Sequence, residues 1–352
     1  MIIDIVKVFA PTTAAFMIGI AITPVLVHYL YKYKAWKKNP GKTALDGNEA
    51  VEFNKIHQAG EGKTPRMGGI VIWGSVAVTT LGLWALARLF PHSLISEFDF
   101  LTRSQTWIPF CVLLVGALVG LLNDIYDVAH HGNGMRLRTR LLIVSIVAGT
   151  VAWWFYTRLG VTEVSIPFDG VIYLGIFMIP FFILVSLGLY ASGVIDGIDG
   201  LSGGIFATIF TAYAGIAFYQ QQIDLAVFCG TVAGAILAFL WFNIPPARFW
   251  MTETGTMGLT MTLAVVAFMT DTLGDGYGLS VLPIVALPLV LTVLSNILQI
   301  LSKKILKKKL FRVAPLHHHF EALGWPGYKV TMRYWIFGIM CAVVGAAIAI
   351  SS

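Results

Sequence analysis

The sequence of 352 residues has little charge and few cysteines, and both shortages exclude classes of protein. Asp, Glu, Lys and Arg make up 12% of the residues, about half of the quarter that is typical of soluble domains. This composition excludes a disordered chain and argues against a soluble enzyme. The three cysteines, Cys111, Cys229 and Cys341, lie within apolar runs and form no CxxC pair. We therefore expect neither a disulfide framework nor a cysteine metal site.

Apolar residues are in excess: they make up 57% of the chain, and the mean hydropathy is +0.79. Long apolar runs recur along the whole sequence, and a helix that spans a membrane needs about 20 residues. We predict an all-α polytopic membrane protein that forms a single domain over residues 1–352 and has about ten transmembrane helices. The predicted spans are 8–31, 68–90, 107–122, 140–158, 171–190, 203–219, 225–243, 257–271, 279–301 and 333–350.

The positive charges predict the orientation of these spans. Of the 24 Lys and Arg residues, 20 lie in the connections that follow odd-numbered spans. Such connections face the cytoplasm by the positive-inside rule, so both termini are predicted to be extracytoplasmic. The outer connections are short, and one of them, 161–173, alternates like a small hairpin. Gly, Pro, His and carboxylate residues gather in the inner connections, which predicts an active site on the cytoplasmic face.

Carboxylates stand at the ends of several spans, where they are costly unless hydrated, paired or bound to a cation. Asp124 and Asp127 are three residues apart, so a helix would place them on one face. Asp196 and Asp199 lie between glycines, an arrangement that suits Mg²⁺ bound together with phosphate oxygens. Glu253 is a lone acid at another boundary. Polar helix caps are the alternative interpretation of these acids.

Basic residues and histidines supply the complementary chemistry. The loop 63–69 combines two cations with Gly and Pro, which suits a phosphate, although a solvated basic loop has the same composition. Residues 303–312 alternate lysines with apolar residues and predict an amphipathic helix on an anionic leaflet. The adjacent histidines 317–319 cannot share one helix face, so phosphate binding or a proton role is expected rather than zinc. Together these groups suit Mg²⁺-dependent phosphoryl transfer to or from a lipid phosphate.

Five segments carry a resemblance to a known family: KTPRMGG, LNDIYD, DGIDGLSGG, FLWFNIPPARFWMTETGTMGL and FRVAPLHHHFEALGWP. Over nearly its whole length the chain resembles the phospho-N-acetylmuramoyl-pentapeptide transferase family. That family belongs to the polyprenyl-phosphate N-acetylhexosamine-1-phosphate transferase superfamily. HHHFE followed by GWP looks like the muramoyl-pentapeptide branch rather than the branch that uses UDP-N-acetylglucosamine.

The resemblance implies ten membrane helices, outward termini and a cytoplasmic active site in a bacterial inner membrane. It implies that UDP-N-acetylmuramoyl-pentapeptide and undecaprenyl phosphate react to give lipid I and UMP, with Mg²⁺ as the cofactor. Membrane lipid is the expected surrounding, a homodimer is the candidate assembly, and no nucleic acid is expected as a partner.

The resemblance also implies roles for individual residues. Asp124 matches the second aspartate of the family's aspartate pair, and Asp196 and Asp199 match the aspartates of its DGLDG segment. These three are the expected catalytic residues, together with His318 of the HHH segment. Glu253 occupies the place of the aspartate in the GDxGS segment, so Glu253 and Asp199 are the expected metal ligands. The expected substrate-binding residues are Lys63, Thr64, Arg66, Asn123, Gln299, His317 and His319.

Several positions depart from the family's motifs. Asn123 replaces the first aspartate of the pair, Asp127 the DDxxK lysine, and Arg66 the middle threonine of TPTMGG. Gly193 replaces an asparagine, and the lysine upstream of TPTMGG falls near Glu61, with Lys63 as a shifted substitute. These changes keep two alternatives open: a relative that binds nucleotide or lipid without turnover, and a sister transferase that uses another UDP-sugar. A transporter would instead place its carboxylates near the bilayer midplane.

Overall fold

The computed structural model describes residues 2–38, 41, 54, 62–130 and 134–351. These residues are mostly helical, and their single two-stranded sheet consists of β1 Glu163–Ile166 and β2 Gly170–Tyr173. Short 3-10 turns cover Leu94–Phe98, Gly175–Phe177, Gly193–Ile195 and Thr272–Gly274. The helices are α1 Ile2–Lys32, α2 Ile70–Leu89, α3 Trp107–Ala129, α4 Leu137–Arg158, α5 Met178–Ser192, α6 Leu201–Tyr219, α7 Ile223–Asn243, α8 Thr252–Met269, α9 Gly278–Val285, α10 Leu287–Ile305, α11 Leu316–Ala322 and α12 Gly327–Ser351.

Nine helical segments within the described residues are long and apolar enough to cross a membrane. They are α1 to α4, the segment Gly175–Ile195 that contains α5, and α6, α7, α10 and α12. Only 17% of the most apolar window of α1 is buried inside the protein, so most of its apolar surface faces outward. Apolar surface of this extent requires a membrane or a partner to cover it. The chain is therefore a multi-pass, all-α membrane protein, as its composition predicts.

The predicted span 257–271 is a helix, α8, but it is not among these nine segments. Every residue of α8 except Glu253 is buried, and the helix lies against α3 along one side. Five of its residues are threonines, and Thr260 donates its hydroxyl to the Thr256 carbonyl at 2.8 Å. Threonine hydroxyls satisfied inside their own helix can be buried. The threonines nevertheless lower the mean hydropathy of α8. A buried central helix therefore has a sequence that is less apolar than those of the nine candidate spans.

The predicted span 279–301 is wrong as a single helix. The structure divides it into α9, which ends at Val285, and α10, which begins at Leu287. Pro288 lies in the first turn of α10, where its missing N–H costs nothing. A proline at the same place within a continuous helix would remove one backbone hydrogen bond and clash with the preceding turn.

The predicted hairpin within 161–173 is confirmed. β1 and β2 pair antiparallel, with Glu163 opposite Tyr173 and Ile166 opposite Gly170. The Asp271 carboxylate, just after α8, accepts the N–H of Ser165 at 2.8 Å and that of Leu279 at 3.0 Å. The hairpin is thus fastened to the end of α8 and the start of α9.

Both described ends of the chain lie at the hairpin end of the bundle. Near the start of α1, Lys7 contacts Glu97 at 2.8 Å, whereas near its end the Tyr31 hydroxyl donates to the Arg248 carbonyl at 3.2 Å. Near the start of α12, the Thr331 hydroxyl donates to the Asp199 carbonyl at 3.0 Å, and the helix runs from there toward α9. The acidic connections therefore lie at the opposite end of the molecule from both described ends.

Two glycines allow α2 and α3 to approach the first turn of α8 closely. A methyl group on Gly120 of α3 would overlap the Glu253 carbonyl. A methyl group on Gly69, just before α2, would overlap the backbone at Gly255. Two segments therefore contact the backbone of α8 at or next to Glu253, the predicted metal ligand.

We predict that Gly120→Ala destabilises the protein by about 1–3 kcal/mol, because the added methyl group overpacks a backbone contact. Gly82→Ala, in α2, is the matched control, since no atom of another described segment lies within 4 Å of the added carbon. Its expected effect ranges from neutral to a stabilisation of about 1 kcal/mol, because alanine favours the helix more than glycine does. The measurement is reversible unfolding of the purified protein in detergent micelles. Equal destabilisation by the two substitutions would contradict the close approach of α3 to α8.

Candidate active site

Two aspartates from different segments bind the N-terminal turn of α8. The Thr252 N–H donates to Asp196 Oδ2 at 2.7 Å, and the Thr254 N–H donates to Asp124 Oδ2 at 2.8 Å. The first N–H groups of a helix have no partner within the helix, and the helix dipole favours negative charge there. Asp124 lies on α3 and Asp196 precedes α6. Three segments distant in sequence therefore converge at one helix terminus.

Asp124 is fully buried, and both of its carboxylate oxygens have partners. Its Oδ2 also accepts the hydroxyls of Thr252 and Thr254, each at 2.5 Å. Its Oδ1 lies 3.4 Å from Nη2 of Arg66. A buried carboxylate is tolerated only with hydrogen bonds and a cation of this kind.

Arg66 reaches this point from a loop that is paired with the segment before α8. The Gly68 N–H donates to the Trp250 carbonyl at 2.8 Å, and the Trp250 N–H donates to the Pro65 carbonyl at 2.9 Å. The Arg66 guanidinium lies between two carboxylates of α3, since its Nη1 is 3.1 Å from Asp127 Oδ2. The loop thus holds a cation in a fixed place beside Asp124.

Glu253 lies in the same helical turn, and its two carboxylate oxygens differ. Its Oε1 contacts Nη1 of Arg140 and accepts the Tyr190 hydroxyl at 3.4 Å. Its Oε2 is buried and has no hydrogen-bond partner among the described residues. A buried anionic oxygen without a donor is a natural position for a cation.

Asp196 and Asp199 lie in one short loop but face different neighbours. Asp196 Oδ1 accepts the Ser202 hydroxyl at 2.6 Å. Burial raises the pKa of Asp196, while its hydrogen bonds from Ser202 and Thr252 oppose that rise. Asp199 accepts the Ala247 N–H at 2.9 Å and the Trp250 indole N–H at 3.0 Å, so it binds the connection between α7 and α8.

Two of the three histidines lie directly against this aspartate loop. A Cβ atom at Gly197 would stand 2.5 Å from Nε2 of His318 and 2.8 Å from Nε2 of His317. Only glycine therefore allows both rings to lie so near the loop backbone. The His318 Nδ1 is 2.7 Å from Glu321 Oε2, and this contact fixes the orientation of the ring.

Gln299 and His319 form a second group around the segment that follows α10. Gln299 Oε1 accepts the N–H groups of Leu310 at 3.0 Å and Phe311 at 2.9 Å, and Nε2 donates to the Phe311 carbonyl at 2.9 Å. The Arg312 N–H lies 3.2 Å from Nδ1 of His319. The described contacts of Gln299 therefore order a loop next to the histidine helix α11.

This loop shows that the predicted amphipathic helix 303–312 is wrong. Helix α10 ends at Ile305, and Lys307 has a φ of 54°, which is outside the helical region. The Gln299 side chain supplies hydrogen bonds to the 310–311 backbone that a continuous helix would supply itself. The six positive charges of residues 303–312 would also repel one another on a single continuous helix.

The remaining predicted residues lie at the edge of the site. The Asn123 Oδ1 accepts the Met135 N–H at 2.9 Å and so binds the connection between α3 and α4. Lys63 is exposed and Thr64 is half-buried, at the start of the loop that carries Arg66. Glu61, the position of the family's upstream lysine, lies outside the described residues.

The sequence analysis did not identify the residues that contact the buried acids Glu253 and Asp124. In the sequence, Arg140 is only one of the positive charges that predict the orientation of the spans. In the structure it contacts Glu253, 113 residues further along the chain. Thr252 and Thr254 bind Asp124 but lie about 130 residues from it. A buried acid requires a cation or several donors. That requirement is the one signal in the sequence that such partners exist, and it does not say which residues they are.

A groove of about 270 Å³ opens among α10, α11 and α12. Its lining is apolar except for the Arg333 guanidinium and the Tyr334 hydroxyl, and Arg333 lies 4.2 Å from the Trp325 ring centroid. Such a lining suits an apolar chain rather than a sugar or a nucleotide. The lining residues are Leu291, Leu316, Phe320, Trp325, Val330, Arg333, Tyr334 and Phe337.

No group of three or more His, Cys, Asp or Glu side chains among the described residues is arranged to hold a metal ion alone. Mg²⁺ does not require such a cage, because it is commonly bound by one or two carboxylates with substrate phosphates and water. Glu253 Oε2 meets that requirement for one ligand. The donor set therefore fits a magnesium ion that arrives together with a phosphate substrate.

Spanning helices with carboxylates, arginines and histidines gathered at one end define a multi-pass membrane protein with a polar site at one end of its helical bundle. The family model described as "Glycosyl transferase family 4" matches residues 106–271, which include α3 to α8. The chain is 34% identical to phospho-N-acetylmuramoyl-pentapeptide-transferases of Bacillus cytotoxicus and of a Geobacillus species, over 96% of each chain. It is 31% identical to that of Clostridium beijerinckii, over 96% of this chain and 95% of the relative. The chain belongs to the phospho-N-acetylmuramoyl-pentapeptide transferase family, which confirms the resemblance in its motifs.

We predict that Asp124→Asn destabilises the fold by about 1–3 kcal/mol, because the amide cannot accept all the donors around Oδ2 and leaves Arg66 without one charge. Thermal unfolding in detergent measures the effect. Asp169→Asn, on the exposed turn of the hairpin, removes the same charge far from α8 and is the control. An unchanged melting temperature for Asp124→Asn would show that this carboxylate does not hold the α8 terminus.

Proposed function

We propose that this chain transfers phospho-N-acetylmuramoyl-pentapeptide from its UDP donor to undecaprenyl phosphate, giving lipid I and UMP. The observation that carries the proposal is the similarity to transferases of that name over 96% of the chain. The carboxylates, arginines and histidines at one end of the helical bundle support it, because they are the groups that a phosphoryl transfer uses.

We place this site on the cytoplasmic side of a bacterial inner membrane, with both termini outside. The distribution of Lys and Arg supports this orientation, since 20 of the 24 lie in the sequence connections that follow the odd-numbered predicted spans. The described ends of the chain support it as well, because both lie at the other end of the bundle.

The products define which bonds change. Because UMP leaves, the bond that breaks joins the two phosphates of the donor. An oxygen of the acceptor phosphate forms the new bond to the sugar phosphate. A phosphate monoester has a second pKa near 6, so this oxygen is largely ionised at neutral pH and needs little help from a base. The protein's main tasks are then to position two anions and to offset their charge.

The described residues divide these tasks. We assign the phosphate region to Arg66, Lys63, Thr64, His317 and His318. Gln299, His319 and Asn123 would order the connections around the donor. Asp124 and Asp196 hold the terminus of α8, and Asp199 holds the preceding connection. The isoprenoid chain of the acceptor suits the apolar groove beside α11.

Glu253 and Asp199 would hold Mg²⁺, which supplies charge neutralisation on the diphosphate when it is bound. The Glu253 Oε2 atom supports this assignment, because it is buried and has no described partner. Asp199 keeps lone pairs beyond the two N–H groups that it accepts.

A binding protein without turnover is the second candidate function. Two observations favour it: the first aspartate of the family's pair is Asn123, and Glu253 already contacts Arg140. An arginine against a metal ligand competes with the metal for the same carboxylate.

The deciding experiment is release of UMP by the purified protein in detergent. UDP-N-acetylmuramoyl-pentapeptide and undecaprenyl phosphate are supplied with and without Mg²⁺, and UDP-N-acetylglucosamine serves as the parallel donor. Mg²⁺-dependent UMP with the muramoyl donor alone is the expected result. UMP with the other donor alone would indicate the sister activity. A folded protein that binds UMP and releases none would indicate the binding protein.

We predict that Glu253→Gln lowers UMP release by at least about 100-fold and raises the Mg²⁺ concentration for half-maximal rate, because the amide is a poor metal ligand. Glu253→Asp introduces the family's own residue and is expected to keep the rate within about tenfold of the wild type. A Mg²⁺ titration of each variant makes the measurement. An unchanged Mg²⁺ requirement in Glu253→Gln would remove this residue from the metal site.

A further inference from the structure

We propose that Arg66 and Asp127 act as one coupled pair that keeps a positive charge against Asp124, and that this charge sets how tightly the site binds the donor's diphosphate. The inference rests on the proposed function for the identity of the donor. It concerns Asp127, to which the motif comparison gives no role, and it makes Asp127 a positioning residue for Arg66.

The geometry of the guanidinium carries the first step. Arg66 lies between two carboxylates, 3.4 Å from Asp124 and 3.1 Å from Asp127. The side chains are 17%, 0% and 10% exposed, in that order, so water and salt screen these charges little. The planar fork of arginine can contact two carboxylates at once, whereas a lysine ammonium is a single point charge.

The position of the carboxylates on α3 carries the second step. Asp124 and Asp127 are three residues apart on one face of the helix, and both are buried. Without a cation between them, the two carboxylates would repel each other and any diphosphate that approaches. The charge of Arg66 therefore affects the affinity for an anionic donor even where the guanidinium makes no contact with it.

The backbone around Arg66 carries the third step, because it fixes the loop independently of Asp127. The Arg66 N–H donates to the Ala35 carbonyl at 2.7 Å, and the Met67 N–H donates to the Thr252 hydroxyl at 3.1 Å. The same hydroxyl donates to Asp124. Loss of Asp127 would therefore remove one of the carboxylates that position the guanidinium, while the loop stays attached to the start of α8.

The two departures from the family's motifs carry the fourth step. The motifs place a lysine at the position of Asp127 and a threonine at the position of Arg66, and this chain differs at both. The structure brings the two changed positions into contact. We therefore expect the two positions to be coupled, because a threonine at position 66 alone leaves no arginine between the carboxylates, and a lysine at position 127 alone places two cations together.

The experiment is a double-mutant cycle of Arg66→Thr, Asp127→Lys and the combined variant in the full-length protein. Three quantities are measured in detergent: the Kd of UDP by calorimetry, the melting temperature, and the KM and kcat for the muramoyl donor. UDP is the probe because it presents a diphosphate. Arg138→Thr is the control, since it removes an exposed arginine from the same end of the molecule. Arg66→Lys is added because it retains the charge.

The expected result is a reversal of sign between backgrounds. Asp127→Lys lowers the melting temperature of the wild type, because it places two cations together, but raises that of Arg66→Thr. Arg66→Thr weakens UDP binding and raises the donor KM by about tenfold, and the combined variant returns both to within about threefold of the wild type. Arg66→Lys weakens UDP binding less than Arg66→Thr, because it retains the charge. Arg138→Thr changes none of these quantities.

Two results would overturn the inference. One is an effect of Asp127→Lys that is the same in both backgrounds, which would make the residues independent. The other is a wild type that does not bind UDP. A wild type that binds UDP and shows the reversal but releases no UMP would sink the proposed transferase activity and leave the coupled pair standing. UMP release together with additive effects of the two substitutions would support the transferase activity and contradict the coupled pair.

Discussion

The buried N-terminus of α8 is the constraint on which the site depends. Its first N–H groups have no partners within the helix, and the surrounding helices exclude water from almost all of α8. Two carboxylates from separate segments meet this need, Asp196 at Thr252 and Asp124 at Thr254. Their negative charge is favoured by the helix dipole, so capping and electrostatics act in the same direction. Arg66 and the close approach at Gly120 follow from this arrangement, because both serve residues that contact the same helical turn.

The hydrogen bonds at the start of α8 distinguish acids that have the same setting in the sequence. Asp124, Asp196 and Glu253 are all acids at the ends of apolar runs, yet only Glu253 has a buried oxygen without a described partner. Asp124 accepts three donors at one oxygen and faces a guanidinium with the other. An acid held in this way is a poor acceptor for a further proton or ligand, because each new partner would displace an existing one. Structural and chemical roles are thus assigned by hydrogen bonding rather than by residue type.

Hydropathy predicted most of the spanning helices, and short motifs predicted which connections lie together at one end of the bundle. Prediction was wrong where tertiary contacts replaced local ones. The Gln299 amide binds the backbone at Phe311 beyond the end of α10, and no periodicity reveals that contact. The threonines of α8 depress its hydropathy although the helix is buried. Arg140 could not be paired with Glu253 in advance, because a count of positive charges says which side a residue is on and not what it touches.

The ion pairs of Arg66 and Arg140 can be considered together through the formal charge of the site. Four buried or half-buried carboxylates, those of Asp124, Asp127, Asp196 and Glu253, surround the start of α8 together with two guanidinium groups, Arg66 and Arg140. With all four ionised, the cluster has an excess of two negative charges, and a divalent cation would bring it to neutrality. Fixed arginines lower the cost of burying the carboxylates before any substrate arrives. While all four carboxylates are ionised, the cluster stays anionic and would repel an anionic donor unless a cation lay between them.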